Sequence, residues 1–190
     1  GARASYKSTL KQGLRFLALS AILNVLRWLL PGFLLWIVHG DPMADDICYF
    51  LVSDIYNFVG IFLIFYALML KLKLSTVAIL VTTIVMLTVN TLLTPVMANI
   101  VTDQYLVSII GNLVYIDETS CFPLLSWAIF PTTGILLGEI LKKATDEKRA
   151  LIMKRMLFFS PVVFISYLVS LSLYGHDIMK VMVSPLNNYI

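Results

Sequence analysis

Long apolar stretches and short polar connections alternate along the whole chain. Five of the stretches hold about 19 to 24 residues each, and roughly 20 helical residues cross a hydrocarbon core about 30 Å thick. The five stretches are Phe16–Val38, Ile47–Leu70, Thr76–Ala98, Cys121–Leu141 and Met156–Tyr174. The pattern therefore predicts an all-α fold, a polytopic transmembrane helix bundle of about five spans.

A sixth, shorter apolar run lies between the third and fourth stretches. Tyr105–Ile116 holds about 12 residues, too few for a helix to cross a bilayer, so we expect a re-entrant or interfacial segment there. No long repeat and no low-complexity linker divides the sequence, which predicts a single transmembrane helical domain over residues 1–190. The sequence starts without an initiator Met, and we expect it to be part of a longer protein.

The composition excludes an ordinary soluble domain. Hydrophobic residues make up 59% of the chain, charged residues only 13%, and the mean hydropathy is +0.90. Soluble domains carry about 25% charged residues. The lipid bilayer is therefore the first partner that the sequence indicates.

The charges between the apolar stretches sort by sign. Lys and Arg gather before the first stretch, after the second and before the fifth, whereas the other connections carry Asp and Glu without Lys or Arg. The positive-inside rule then places the N-terminus and the 142–155 connection in the cytoplasm, and five spans leave the C-terminus outside. We expect the basic residues to contact anionic lipid, and we expect no nucleic-acid partner.

Polar side chains form a line within the first stretch. Ser20, Asn24 and Arg27 stand at positions i, i+4 and i+7, which share one face of an α-helix. Arg27 lies about 18 Å from both Arg15 and His39 at 1.5 Å per helical residue. This spacing places the guanidinium near the middle of the bilayer.

An arginine at the centre of a membrane helix costs about 2.5–3.5 kcal/mol, so it normally has a partner. Arg27 could contact an anion or a substrate, or it could pair with Asp54, which lies at a comparable depth in the second stretch. Alternatively, Pro31-Gly32 kinks or breaks the helix just past this point, and Arg27 extends towards the headgroups.

The second and third stretches also carry polar side chains. Asp54 and Asn57 are candidates for a proton relay, for ligands of a substrate hydroxyl, or for a structural ion pair with Arg27. Thr83, Asn90 and Thr94 stand at i, i+7 and i+11 in the third stretch. Polar stripes of this kind are expected to face the interior of the bundle.

Further on, the sequence offers weaker signals. Gly134 and Gly138 form a GxxxG pattern that permits close helix contact, and prolines predict kinks at Pro131 and Pro161. Cys48 and Cys121 both fall at predicted outer ends of spans. These two cysteines could form a disulfide, or they could be two free, membrane-buried thiols.

The common signatures of soluble enzymes are absent from the sequence, including P-loop, GxGxxG, HExxH, CxxC and GxSxG patterns. With two histidines and two separated cysteines, we expect no metal site made from this chain alone. The basic 142–155 connection could bind the phosphates of a cofactor through charge-assisted hydrogen bonds, although membrane topology alone also explains it. Its candidate cofactor-binding residues are Lys142, Lys143, Arg149 and Arg155.

Three segments resemble one family, the prokaryotic integral membrane acyltransferases of the acyltransferase-three and heparan-glucosaminide N-acetyltransferase-like group. The first is Ser53-Asp-Ile-Tyr-Asn-Phe-Val-Gly, which continues to Lys71-Leu-Lys-Leu-Ser75. The second is Phe122-Pro-Leu-Leu-Ser-Trp-Ala-Ile-Phe-Pro-Thr-Thr-Gly, which continues to Gly138-Glu-Ile-Leu-Lys-Lys. The third is Leu14-Arg-Phe-Leu-Ala-Leu with Asn24 and Arg27.

The resemblance implies transfer of an acyl or acetyl group from acyl-CoA or acetyl-CoA to a cell-envelope glycan in a bacterial cytoplasmic membrane. It implies that Arg27, Asp54, Asn57 and Asn24 line a substrate cavity. The family's early helices have no match here, so the catalytic base is expected outside this sequence. Further spans of the same protein, or copies of the chain, are the expected protein partners.

A non-enzymatic role is the alternative. Helices interrupted by Pro31, Pro95, Pro131 and Pro161, with polar residues near the midplane, are equally typical of a transporter segment. A structural subunit of a membrane complex would carry the same pattern.

Overall fold

The structure is a computed structural model that describes residues 5–40, 42–51, 54–116 and 122–173. Every regular element within these ranges is helical, so the predicted all-α class is confirmed for them. A π-helical turn, Val25–Leu29, lies between the first two helices. The helices are α1 Tyr6–Asn24, α2 Leu30–His39, α3 Ala44–Leu51, α4 Ile55–Lys71, α5 Thr76–Ile100, α6 Gln104–Ile110, α7 Leu124–Trp127, α8 Ile129–Lys143 and α9 Asp146–Leu173.

Three apolar helices are long enough to cross a membrane, namely Tyr6–His39, Thr76–Ile100 and Leu124–Lys143. A fourth span results if Ala44–Leu51 and Ile55–Lys71 are taken together as one span bent by 43°. The chain therefore has the character of a membrane protein, but the predicted number of about five spans is not confirmed. In the fifth predicted stretch, α9 is helical as far as Leu173, and Tyr174 lies outside the described residues.

Contacts divide the chain into two compact units, Gly1–Gly138 and Glu139–Ile190. In the first unit, the most extensive packing joins α1 to α4. In the second, α9 begins after the short connection at the end of α8. The single domain expected from the sequence stays a prediction.

Two glycines allow α1 and α4 to approach at backbone distance. A Cβ atom on Gly13 would lie 2.9 Å from the carbonyl oxygen of Gly60, and one on Gly60 would lie 3.0 Å from the backbone nitrogen of Leu17. Small residues at a membrane-helix crossing permit this close contact, which is stabilised by van der Waals packing. The α1–α4 crossing therefore depends on both glycines.

The inward-facing positions of the first long helix recur every four residues from Ser20 through Asn24 and Trp28 to Gly32. The N-terminal part of this helix, α1, packs on α4. The π-turn that follows packs on α3, where Trp28 stacks on Tyr49 with ring centroids 4.8 Å apart. Further along, a Cβ atom on Gly32 would collide with the carboxylate of Asp46. The buried residues of this face are Thr9, Gly13, Ser20, Asn24 and Gly32.

A four-residue repeat drifts by about 40° per step around an ideal helix of 3.6 residues per turn. The π-turn at Val25–Leu29 corrects this drift, because its hydrogen bonds reach five residues back instead of four. Asn24 and Gly32 consequently stay on one side, with Trp28 between them against α3. This turn keeps α3 packed along the upper half of the helix.

The same π-turn corrects two expectations. Helical spacing predicts Arg27 on the polar face with Ser20 and Asn24, but those two are buried while Arg27 is exposed. Of the kink or break expected at Pro31-Gly32, the break is wrong, since Tyr6–His39 is helical throughout its 34 residues, and the kink stays a prediction. Proline has no N–H to donate to the carbonyl four residues earlier, and a π-turn takes the place of the break.

The apolar core of the first unit is formed by aromatic side chains of α4 that pack against α5, α7 and the start of α8. Phe62 and Tyr66 stack with ring centroids 6.1 Å apart. In α5, Thr83 and Asn90 are buried, as predicted for the polar stripe, and Pro95 lies inside the helix without ending it. The buried core residues are Phe58, Phe62, Tyr66, Met69, Ile79, Leu124 and Ala128.

The segment between α5 and α8 folds back on itself. The seven-residue α6 is too short to cross a membrane. After it, the Asn112 carbonyl accepts a hydrogen bond from the Leu124 backbone N–H at 3.0 Å. Asn90 of α5 accepts from the Tyr115 backbone N–H at 3.0 Å and donates to Ser126 Oγ at 2.8 Å. Its placement within the bilayer, as a re-entrant or interfacial segment, stays a prediction.

We expect Gly13→Ala to lower stability by about 1–3 kcal/mol, the usual cost of overpacking a close contact. The added methyl group would meet the Gly60 carbonyl oxygen at 2.9 Å, and a backbone atom cannot move aside cheaply. Thermal unfolding of the full-length protein in detergent measures the change. Gly134→Ala is the matched control, because nothing described lies within 4 Å of its Cβ position. Equal effects of the two substitutions would contradict the close crossing.

Candidate binding cavity

The interruption between α3 and α4 is the starting point of the candidate site. Residues 52 and 53 lie outside the described residues, and α4 begins after Asp54, whose backbone is extended with φ −94° and ψ 176°. The Asp54 carboxylate accepts a hydrogen bond from the Asn57 backbone N–H at 2.6 Å. This is an N-cap, which satisfies one of the unpaired N–H groups at the start of a helix.

Two asparagines supply donors for the carbonyl groups at the end of α3. Asn24 of α1 donates to the Phe50 carbonyl at 3.2 Å, and Asn112 donates to the Leu51 carbonyl at 3.0 Å. The last carbonyls of a helix have no partner within that helix, and in an apolar environment each one needs a partner from elsewhere in the protein. The two amides thus hold the end of α3 between α1 and the segment after α6.

A chain of hydrogen bonds joins these groups across the site. Asn57 Nδ2 donates to Asn112 Oδ1 at 2.6 Å, and Ser20 Oγ donates to Asp54 Oδ1 at 3.0 Å. Asn112 Nδ2 also donates to the Ser108 carbonyl at 2.8 Å, within the end of α6. Side chains from α1, α4 and the α6 turn therefore form one polar network.

A cavity of about 470 Å³ lies beside this network. Its volume falls within the roughly 300–1,000 Å³ that small-molecule sites occupy. Apolar side chains from α1, α3, α4 and α6 form most of its wall, and four polar side chains are set among them. The polar lining residues are Ser20, Asn24, Asn57 and Asn112.

The three asparagines of the cavity wall differ in which of their hydrogen-bonding atoms already have a partner. The side-chain nitrogens of Asn24, Asn57 and Asn112 already donate within the wall. By contrast, Asn24 Oδ1 and Asn57 Oδ1 accept no hydrogen bond from the described residues. Because an amide nitrogen carries two N–H groups and each of these two nitrogens donates one bond to the described residues, Asn24 and Asn57 each add an acceptor oxygen and a second N–H donor to the cavity.

The structure brings together three of the four predicted substrate-binding residues. Asn24 and Asn57 line the cavity, and Asp54 lies at the α4 N-terminus, bonded to Ser20 and Asn57. Arg27 lies apart, exposed, with its guanidinium carbon 4.9 Å from the centre of the Trp28 ring.

The hypothesis of an ion pair between Arg27 and Asp54 finds no counterpart in the described residues. The salt bridge recorded there joins Arg149 Nη1 to Asp146 Oδ1 at 2.9 Å. The π-turn explains the separation, because it turns Arg27 away from the face that carries Ser20 and Asn24. Asp54 is stabilised by hydrogen bonds to neutral groups instead.

Asn112 is the cavity-lining residue that the sequence did not reveal. It lies inside the apolar run Tyr105–Ile116, where it and Ser108 interrupt the apolar pattern only weakly. The preceding Gly111 and Asn112 itself form a turn in the structure, and such a pair in an apolar run is a recognisable turn signal. What the sequence could not show is that this turn reaches α3 and α4.

The basic residues predicted to bind a cofactor are all exposed, namely Lys142, Lys143, Arg149 and Arg155. Arg149 has a structural task, since its Nε donates to the Leu141 carbonyl at 2.7 Å and thereby caps the end of α8. Its bond to Asp146 joins two exposed side chains, and such pairs contribute about 0–1 kcal/mol. Binding of a cofactor phosphate here stays a prediction.

Two further predictions concern cysteines and metals. Cys48 is a buried free thiol, and Cys121 lies outside the described residues, so the suggested disulfide falls on a position that the structure does not describe. Among the described residues, no group of three or more His, Cys, Asp and Glu side chains is placed to hold a metal ion.

We expect the Asn57–Asn112 contact to show a coupling energy of about 0.6 kcal/mol and at most about 1.7 kcal/mol, the average and the maximum for side-chain hydrogen bonds between membrane helices. The test is a double-mutant cycle of Asn57→Ala and Asn112→Ala, read by thermal unfolding of the full-length protein. Asn99→Ala replaces Asn112→Ala in the control cycle, because Asn99 bonds within its own helix, to the Pro95 carbonyl. Additive effects of Asn57 and Asn112 would contradict the contact.

Comparison with known proteins adds no relative to this picture. No family model matches the chain, and neither a curated protein nor a solved structure matches it. The geometry and the chemistry of the cavity are therefore the grounds on which its function is inferred.

Proposed function

We propose that the chain is part of an integral membrane acyltransferase, and that the cavity beside α3 and α4 binds the acyl acceptor. The donor would be acyl-CoA or acetyl-CoA, and the acceptor a cell-envelope sugar. One observation carries the proposal: an interrupted membrane-length segment lies beside a cavity lined by polar amides, and the side-chain oxygens of Asn24 and Asn57 there accept no bond from the described residues.

The open oxygens and second N–H groups of Asn24 and Asn57 favour a ligand that both donates and accepts hydrogen bonds. Hydroxyl groups donate, whereas carboxylates and phosphates at neutral pH only accept. The hydroxyl groups of a ligand could donate to Asn24 Oδ1 and Asn57 Oδ1, whereas an anion offers these oxygens no proton. A sugar meets this requirement, and its hydroxyl groups are also the atoms that an acyltransferase acylates.

The catalytic base is proposed to lie outside this sequence. A general base must reach the proton that it removes, and Asp54 is not among the residues that line the cavity. Its Oδ1 accepts from Ser20 Oγ and from the Asn57 N–H. Asp54 therefore serves as a structural acceptor that fixes the start of α4. Asn24 and Asn57 orient the acceptor sugar, and the reacting group comes from elsewhere in the protein.

In the proposed topology, the two substrates reach the protein from opposite sides of the membrane. With five spans, the N-terminus and the 142–155 connection lie in the cytoplasm of a bacterial cell, and the C-terminus lies outside. Cytoplasmic acyl-CoA would then meet Lys142, Lys143 and Arg155, whose charges suit its phosphates. Because the protein would cross the cytoplasmic membrane several times, the acceptor sugar could reach it from the cell-envelope side.

A transporter segment is the second candidate function, and the interruption between α3 and α4 favours it. Transporters bind substrates where membrane helices are interrupted, with half-helix ends facing the site. The α4 N-terminus and the α3 carbonyl end both lie at the network beside the cavity. Under this alternative the solute would cross the membrane unchanged, without any need for CoA.

We expect the full-length protein in sealed membrane vesicles to transfer label from radiolabelled acetyl-CoA to the glycan fraction. We further expect Asn24→Ala to raise the KM for the acceptor about 2- to 13-fold, corresponding to the 0.5–1.5 kcal/mol of one neutral hydrogen bond. The KM for acetyl-CoA should not change, because Asn24 is assigned to the acceptor.

Asn99→Ala is the matched control for this measurement, since Asn99 is exposed and bonds within α5. Label that stays in acetyl-CoA, together with no measurable CoA binding, would overturn the acyltransferase proposal. Uptake of unmodified sugar that Asn24→Ala slows would then favour the transporter.

A further inference from the structure

The exposed face of the first long helix has an unusual feature, a cation among apolar side chains. Arg27 lies on the π-turn with its guanidinium over the ring of Trp28, at 4.9 Å from the centroid. On the same exposed surface, Leu26 and Leu30 are 57% and 46% exposed. This helix, Tyr6–His39, is one of those long and apolar enough to cross a membrane.

The depth of Arg27 makes its exposure costly. About 12 residues separate it from His39 at the end of the helix, or roughly 18 Å. The guanidinium carbon lies 4.9 Å from the centre of the ring of the next residue, Trp28, so this contact keeps the charge near its own helical turn. A charged side chain that faces lipid at this depth costs about 2.5–3.5 kcal/mol, so an anion is needed beside it.

Within the first unit, no described carboxylate forms an ion pair with Arg27. Asp54, the acidic residue closest to the middle of an apolar segment, is held by Ser20 and Asn57. Asp46 packs against Gly32, further along the helix. The anion that complements Arg27 must therefore come from outside the described part of this unit.

We propose that the face around Arg27 is an interface for another membrane helix, one that carries an Asp or Glu at the same depth. Leu26 and Leu30 would provide the apolar contact, and the carboxylate would neutralise the guanidinium. A phospholipid headgroup is a poorer fit, because phosphates lie at the membrane surface and the contact with Trp28 holds the guanidinium at depth. This interface does not depend on acyl transfer.

The geometry of the π-turn is a second argument for this interface. An unperturbed α-helix would place residue 27 on the face shared with Ser20 and Asn24, inside the unit. The π-turn instead packs Trp28 against Tyr49 and leaves Arg27 outside. Turns of this kind occur frequently at functional sites, and here the turn presents a charge to a neighbouring surface.

The first test is photo-crosslinking in native membranes, with benzoylphenylalanine at position 30 of the full-length protein. We expect a cross-linked peptide from an apolar helix that contains Asp or Glu. The same probe at Leu92, which is 68% exposed on α5, is the control and should not capture that peptide. Adducts with lipid alone, or with a peptide that has no acidic residue in its apolar segment, would overturn the proposal.

The second test is charge reversal. We expect Arg27→Glu to lower the cross-linking yield at position 30 about tenfold or more, because like charges across an interface cost several kcal/mol. Replacing the captured acidic residue with Arg should restore the yield in the doubly substituted protein. Lys154→Glu, which reverses an exposed charge on α9, is the control. An unchanged yield in Arg27→Glu, or no restoration in the double variant, would overturn the ion pair.

Discussion

Hydrogen bonding of backbone carbonyls at the end of α3 is the constraint on which the site depends. An apolar environment offers no water to these groups, so an interrupted helix is tolerated there only when protein donors replace the missing helical bonds. Asn24 and Asn112 supply the donors. Because they come from α1 and from the turn after α6, the same bonds that satisfy the interruption also bring the walls of the cavity together.

The glycine crossing of α1 and α4 sets the distances within this arrangement. Gly13 and Gly60 let the two backbones come close, and Ser20 lies two turns further along α1. The Ser20 hydroxyl consequently reaches the Asp54 carboxylate at 3.0 Å, although a hydroxyl group on Cβ has a short reach. A wider crossing would separate these groups and leave the carboxylate without that donor, so the packing and the polar network are two consequences of one contact.

Periodicity and composition predicted the local features of this protein, whereas features that depend on long-range contact were missed. Apolar length predicted the helical class, and the polar positions Asn24, Asp54 and Asn57 are indeed close in space. Asn112 was missed because its role arises from a turn that meets α3 and α4, and no local pattern encodes that meeting. The number of membrane-crossing helices cannot be read from local sequence either. It depends on whether α3 and α4 together form one bent span.

Arg27 shows how a local geometric change alters a conclusion drawn from helical spacing. Positions i, i+4 and i+7 share a face only while each turn contains 3.6 residues. Pro31 cannot donate to the carbonyl of residue 27, and the π-turn before it adds a residue to the turn. The inward-facing position therefore passes from Arg27 to Trp28. A proline four residues after a polar position in a membrane helix thus indicates that the polar face can shift at that position. The displaced side chain then lies on the exposed surface of the helix, as Arg27 does.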